Sequence, residues 1–316
     1  MRILVVSNMF PTPVEPWFGS FVRDQIDDIA TRGHDVDLHS FDGRKHATEY
    51  LRAPRRISAR IRRGGYDVVH AHYGLTGATT LLARPPIPLV TTFHGSDYSG
   101  PGWQRLVSMV VARRSRCVVV SEQGRRLLRA LDAEVIPMGV DTQLFVPTDR
   151  SEARAALGWD PHARYALLAG SRQNRIKRAD LFDAAVEVAR VTTPHLRGVA
   201  LEGFDRKGVV LALNAADVVV VASDHEGSPL TVREALACST PVVSVDAGDV
   251  PSTIAGLSGC AVVARSPAAL AEGIVRALVT ERDDNLRGRA ELTSRSAIAG
   301  RIENLYVRAV TRGLRG

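Results

Sequence analysis

Cysteine is scarce in this sequence: Cys117, Cys238 and Cys260 stand alone among 316 residues. An odd number at wide spacing excludes a disulfide framework and argues against a zinc knuckle. Long apolar runs are missing as well, and none approaches the roughly 18 consecutive apolar residues of a membrane-spanning helix. The run Ile3-Leu4-Val5-Val6 after Met1-Arg2 is too short for a signal peptide and has no small-residue cleavage site after it. The expectation is a soluble, cytoplasmic chain. Lysine is limited to Lys45, Lys177 and Lys207, and every other basic residue is arginine. Several nucleotide and hydrolase signatures are absent too. No G-x-G-x-x-G follows the first apolar run, no G-x-x-x-x-G-K-[ST] occurs, and neither G-x-S-x-G nor H-E-x-x-H is present.

What is present suffices for two domains, since 45% of the residues are hydrophobic and the length allows two cores. Lys and Arg number 41 against 34 acidic residues, a net charge of +7. That excess favours anionic partners such as phosphorylated small molecules, an acidic lipid surface or nucleic acid. With no nucleic-acid motif and only 5% aromatic residues, nucleic acid is not expected. Arginine is densest at Arg52, Arg55, Arg56, Arg60, Arg62 and Arg63. Such a run reads as a solvated helix face or as one that meets anions or a membrane.

Apolar runs of four or five residues alternate with helical patterns along the chain. They predict strands over 3–6, 36–39, 68–71, 89–93, 117–120 and 135–137. A second series follows over 165–169, 198–201, 218–222, 241–245 and 260–263. Helices are predicted over 20–32, ending at Gly33, and over 178–191, 229–238, 267–280 and 284–312; a loop with Pro11, Pro13 and Pro16 precedes the first. Strands with continuous apolar character between helices imply parallel sheets buried on both faces. Residues 139–147 with the polar stretch 148–152 read as an interdomain linker. The expected division is therefore 1–145 and 146–316, with the last helix free to pack back on the first domain.

Such domains bind ligands beyond the carboxyl ends of their strands, and two constellations lie there. Ser223-Asp224-His225-Glu226-Gly227-Ser228-Pro229-Leu230-Thr231-Val232-Arg233-Glu234 follows an apolar strand and opens a helix. Ser228 suits an N-cap and Pro229 a first helical residue. Gly227 suits a close backbone approach, and the amides of Ser228, Leu230 and Thr231 a phosphate seat. Glu226 and Glu234 could each accept hydrogen bonds from hydroxyl groups of a sugar or ribose, or simply favour a helix N-terminus. The second constellation, Gly170-Ser171-Arg172-Gln173-Asn174-Arg175-Ile176-Lys177-Arg178, puts a fork-shaped and a point-like cation, Arg172 and Lys177, in one polar loop. That pair suits a diphosphate, although a solvent-exposed basic loop has the same composition. A third segment, His94-Gly95-Ser96-Asp97, ends a first-domain strand, while His70 and His72 lack an evident carboxylate partner for a metal.

Taken together, the E-x7-E segment from Glu226 to Glu234, the Arg172 and Lys177 pair, Gly139-Val140-Asp141 with Phe145, His94 to Asp97, and Phe18-Gly19-Ser20 resemble the retaining GT-B glycosyltransferases, family 4 in particular. The resemblance implies an α/β architecture of two Rossmann-like domains with parallel sheets facing a central cleft. It implies donor binding by Gly19, Gly170, Arg172, Lys177, Glu226, Gly227, Ser228, Pro229, Leu230, Thr231 and Glu234. Arg172 and Lys177 would take the diphosphate, Glu234 the ribose and Glu226 the transferred sugar. His94, Arg172, Lys177 and Glu226 would form the catalytic set. The implied reaction moves a sugar from a nucleoside-diphosphate sugar, most commonly UDP-linked, to a hydroxyl with retention and without metal or cofactor. The acceptor would be a lipid-linked glycan precursor or a natural product, the first placing the protein at the inner face of a membrane. A scaffold subunit that keeps only the fold, and a nucleotide-sugar hydrolase or epimerase, are the alternatives.

Overall fold

A computed structural model describes residues 1–15 and 18–313; Pro16 of the proline-rich loop lies outside them. The chain divides into two units, one of Met1–Met138 together with the chain from Arg295 onward, the other Gly139–Ser294.

The first unit is built on β1 (Arg2–Ser7), β2 (Asp35–Ser40), β3 (Val68–His72), β4 (Leu89–Phe93), β5 (Arg116–Val119) and β6 (Glu134–Val135). They form a six-stranded sheet in the order β2-β1-β3-β4-β5-β6, every pair parallel. The register pairs Ile3 with Val68 and Leu4 with Val69, so alternate residues serve opposite faces. Leu4, Val6, Val69 and Ala71 pack under Ala53, Ile57 and Ile61 of the helix Glu49–Gly64. Ile3, Val5, Val68 and Val90 pack under Val22 and Ile29 of the helix Ser20–Thr31, and under Ile298, Ile302 and Leu305 of the helix Arg295–Gly313. Burial on both faces is why these strands read as unbroken apolar runs. Each such side chain contributes about 1.5–3 kcal/mol, and an aspartate at fully buried Val68 would leave a carboxylate without a partner in the sheet.

The second unit has β7 (Arg164–Leu168), β8 (Leu196–Ala200), β9 (Val218–Val221), β10 (Val242–Val245) and β11 (Ala261–Val263). The five-stranded parallel order is β11-β10-β9-β7-β8. The chain leaves β7 for β8 on one side and returns to β9 on the other, so the switch point lies between β7 and β9. Ligands of open parallel sheets bind at that place.

The strands start and end within one or two residues of the sequence reading, but three expectations need correction. Residues 139–147 start at the division, as an interdomain linker would, but belong to the second unit: Val140 bridges to Ser294, and Phe145 is buried in the second core. The polar stretch 148–152 enters the helix Arg150–Leu157, whose N-cap Asp149 accepts the amides of Ser151 and Glu152. The single helix expected over 284–312 breaks in two. Leu286 and Ala290 of Asn285–Glu291 join the second core, and the apolar stripe of Arg295–Gly313 joins the first. The division accordingly falls at 138/139 and again at 294/295, instead of at 145/146.

Candidate active site

Lys177 and Glu226 meet at the β7/β9 switch point. After β7 the chain passes Gly170 and forms a short 3-10 turn, Arg175–Lys177, started by the Asn174 side chain accepting the Ile176 amide. After β9, Asp224 donates its amide to the Ile176 carbonyl at 2.9 Å, and Arg178 donates to its carboxylate at 3.0 Å. These two ties hold neighbouring loops edge to edge. Across them Lys177 Nζ donates to Glu226 Oε1 at 2.7 Å. Gly170 has φ +152°, and a Cβ there would lie 2.8 Å from the Lys177 stem. Only glycine leaves that stem its path.

Arg172 is held elsewhere. Its guanidinium forms an ion pair with Asp183 on the helix Ala179–Arg190, and its amide donates to Glu202 at 3.0 Å. The structure brings Lys177 to Glu226 but does not bring the Arg172 guanidinium into that pair.

The helix that follows Glu226 runs Leu230–Ala237, with Pro229 at the N-cap position and no side-chain cap. The expected cap is thus displaced by one residue, because Ser228 Oγ turns away to donate to Asp249 Oδ2 at 2.9 Å. Asp249 is also paired with the buried guanidinium of Arg233. Beside it Gly248, at φ +58°, packs so closely that a Cβ would lie 2.5 Å from the Gly227 carbonyl oxygen. Gly227, Ser228 and Pro229 are buried, Leu230 and Thr231 partly exposed. The first amides of the helix have no carbonyl of their own helix to bond, and they carry the positive end of its dipole. Glu234 lies one turn further on, buried, with Arg206 Nη1 3.7 Å from its Oε1.

The first unit contains a histidine column. His70 sits between the Tyr306 hydroxyl (2.6 Å) and Thr92 Oγ1 (2.8 Å). His72 Nδ1 and His94 Nε2 lie 3.0 Å apart, with their rings stacked. Burial holds His70 and His94 down to about 3 and His72 well below the ordinary range, so all three are neutral at pH 7. His94 therefore offers a hydrogen bond rather than a positive charge. Asp97 accepts the amides of Gly74 and His94, both at 2.5 Å, and burial pushes it up to about 7. Tyr73, directly after His72, has φ +84°, a sparsely populated conformation costing of order 1–3 kcal/mol. Gly19, φ +70°, caps the helix Ser20–Thr31 and lies against the Met9 backbone.

The description Glycosyltransferase Family 4 matches residues 15–144, and Glycosyl transferases group 1 matches residues 165–280. The D-inositol 3-phosphate glycosyltransferase of Actinosynnema mirum is 31% identical over 297 residues, covering 74% of this chain and 71% of that protein. The chain belongs to glycosyltransferase family 4. Its similarity to the D-inositol 3-phosphate glycosyltransferase of Mycolicibacterium gilvum is 32% over 255 residues, and to that of Catenulispora acidiphila 33% over 273 residues. The chain spans 58% and 65% of the length of these two proteins. Sucrose-phosphate synthase from Thermosynechococcus elongatus superposes with a TM-score of 0.77 at 19% identity, covering 98% of each chain. HepE from Anabaena, solved in complex with UDP, gives 0.69 at 15% identity, covering 98% of this chain and 100% of that one. These likenesses show the fold, two Rossmann-like domains of GT-B type.

Within this family 4 chain, sequence reasoning missed the residues that hold the loops. Arg265 Nη1 donates to the carbonyls of Ala222 and Ser223 at 3.0 and 2.7 Å, bracing the turn before Glu226. Asp249 and Arg206 have similar supporting places, and Arg178, the last residue of the basic run read from the sequence, ties that run to Asp224. An isolated arginine or aspartate more than 15 residues away carries no local signal; only the sheet order, with β10 and β11 on one side of β9 and β7 and β8 on the other, brings them in.

Proposed function

We propose that the protein transfers a glycosyl group from a nucleoside-diphosphate sugar, UDP-linked in the first instance, to an acceptor hydroxyl with retention of anomeric configuration and no metal requirement. The observation that carries the reading is the Lys177–Glu226 pair at the β7/β9 switch point, next to the N-terminus of the helix Leu230–Ala237. An arriving diphosphate competes with Glu226 for the lysine, and the helix amides add a second anion contact. As the bond to the sugar breaks, charge collects on the leaving phosphate, where a fixed cation and fixed amides stabilise it most. Glu226, released from Lys177, is then free to accept hydrogen bonds from sugar hydroxyls. Glu234 takes the ribose and neutral His94 a sugar hydroxyl. The acceptor is a lipid-linked glycan precursor, handled at the inner face of a membrane, or a soluble natural product. The relatives named for D-inositol 3-phosphate add a phosphorylated polyol to the acceptors to be tried.

The test is calorimetric titration of UDP, GDP, ADP and dTDP, with and without their sugars, into wild type and Glu234→Ala. Selective binding of one nucleotide, lost in the variant, supports the donor site. NMR of the product then reads the anomeric configuration directly. Folded protein that binds none of the four would remove the proposal.

A further inference from the structure

The helix Gly102–Ala112 turns a stripe of Trp103, Leu106 and Val110 outward, at 55%, 63% and 44% exposure. Spacings of three and four residues put all three on one helical face. Leu82 is exposed at the end of the neighbouring helix Gly74–Leu82. The two helices touch where a Cβ on Gly77 would lie 2.6 Å from Val111.

Arginine dominates the charge of this part of the chain, although Asp67, just before it, lines the same surface hollow as Arg84, Arg113, Arg114 and Arg116. From Val68 to Val120 the only acidic residue is Asp97, and Asp97 is buried on backbone amides. Arg84, Arg105, Arg113, Arg114 and Arg116 are exposed, and among the described residues none of them has an ion-pair partner. The arginine-rich helix Glu49–Gly64 is in part neutralised: Arg52 and Arg56 lie against Glu49 and Arg60 against Asp37, while Arg62 meets only Ser58 and, among the described residues, Arg55 and Arg63 have no ion pair.

An apolar stripe that includes tryptophan, with Arg105 on the same helix and Arg113 and Arg114 just past its end, none of the three in an ion pair among the described residues, matches an anionic bilayer surface. There the aromatic ring settles at headgroup level and each cation meets lipid phosphate. A second copy of the chain fits poorly, since a two-fold contact would set the same arginines against each other. We propose that this face of the first unit, centred on Trp103, Leu106 and Val110 and edged by Arg105, Arg113 and Arg114, docks the protein peripherally on anionic lipid. The proposal deepens the membrane-side reading of the acceptor and rests on it only for its purpose, because binding to vesicles needs neither donor nor acceptor.

The experiment is co-sedimentation of the full chain with phosphatidylcholine vesicles, with and without phosphatidylglycerol. It compares wild type, Trp103→Ser/Leu106→Ser/Val110→Ser and Arg113→Gln/Arg114→Gln, with thermal midpoint and UDP affinity measured alongside. Wild type is expected to pellet with the phosphatidylglycerol vesicles and much less with the neutral ones, and to be released by salt. The apolar variant should partition about tenfold less or weaker still, and the arginine variant several-fold less; both should keep their thermal midpoint. Wild type remaining in the supernatant, equal binding to neutral vesicles, or an apolar variant that sediments like wild type would each overturn the proposal. Dissociation of an oligomer by the apolar variant would do so as well, reassigning the face to contacts between copies. Vesicle binding without any nucleotide binding would sink the donor-site reading alone, and the reverse result would sink this one alone.

Discussion

Removing Asp249 tests how the phosphate seat is held. Its carboxylate does two things at once: it neutralises the buried Arg233 guanidinium and accepts the Ser228 hydroxyl. Among the described residues, Thr253 Oγ1 is the only other side-chain acceptor that guanidinium bonds, at 3.4 Å. Asp249→Ala leaves a buried cation without its counter-charge, which costs about 3–5 kcal/mol, a large share of the about 5–15 kcal/mol that keeps a domain folded. Arg233→Met/Asp249→Ala removes both charges, so most of that loss should return. The seat should not return with it, because Ser228 still lacks its anchor. One lost hydrogen bond of about 1 kcal/mol predicts nucleotide binding roughly fivefold weaker than wild type in a double variant of near-normal stability. Urea unfolding followed by circular dichroism gives the first quantity and UDP calorimetry the second. An unchanged midpoint for Asp249→Ala, or a double variant as unstable as the single one, would refute the account of the ion pair. Wild-type nucleotide affinity in the stable double variant would refute the link to the seat.

Three more outcomes are expected. Lys177→Ala should weaken UDP binding at least about tenfold through loss of a charge-assisted contact, read by calorimetry; unchanged affinity would remove Lys177 from the site. Chelator should leave turnover intact, and activity lost in EDTA but restored by magnesium or manganese would contradict the metal-free assignment. Acid should destabilise the first unit, because His70 and His94 fall from 6.5 to about 3 on folding. A histidine depressed in this way contributes stability that is present above its unfolded value and fades as pH falls toward 3, about 2 kcal/mol each by pH 5. Asp97, raised from 3.8 to about 7, acts in the opposite sense and returns about 2 kcal/mol over that interval. With His72 also depressed, the urea midpoint should drop between pH 7 and pH 5; a flat or rising midpoint would mean that the histidines are not held neutral.

The strands were legible because burial on both faces writes itself as unbroken runs such as Val218–Val221, a signal that needs no knowledge of partners. The ends of the second unit were not. Phe145 looks like any linker aromatic until its pocket in the second core is known. The break between Asn285–Glu291 and Arg295–Gly313 depends on which core each apolar stripe meets. At the candidate site, residue types adjacent in sequence were readable, as with the run from Glu226 to Glu234. The direction of Ser228 was not, since Asp249 reaches it from the loop that follows the next strand over. His72 was readable as a strand-end histidine, but its place beside His94 comes from the pairing of β3 with β4.

Arg172 shows where a sequence reading and the folded geometry diverge without conflict. Its partner Asp183 is 52% exposed and Arg172 itself 32% exposed; at that exposure an ion pair is worth about 0–1 kcal/mol. A diphosphate offers the guanidinium two charges and a bidentate contact, so exchanging Asp183 for the ligand costs little. Lys177 and Glu226, at 21% and 14% exposed, are more shielded, and their separation takes more of the binding energy. Asp183 is then a competitor for Arg172 with no other role in binding. Asp183→Asn should tighten UDP binding by up to about fivefold, the whole value of the exposed pair, whereas Arg172→Ala should weaken it about tenfold. Calorimetry on the two variants decides the matter. If Asp183→Asn leaves affinity unchanged and Arg172→Ala does too, the arginine stays on its helix when the ligand arrives, and the diphosphate is held by Lys177 and the helix amides alone.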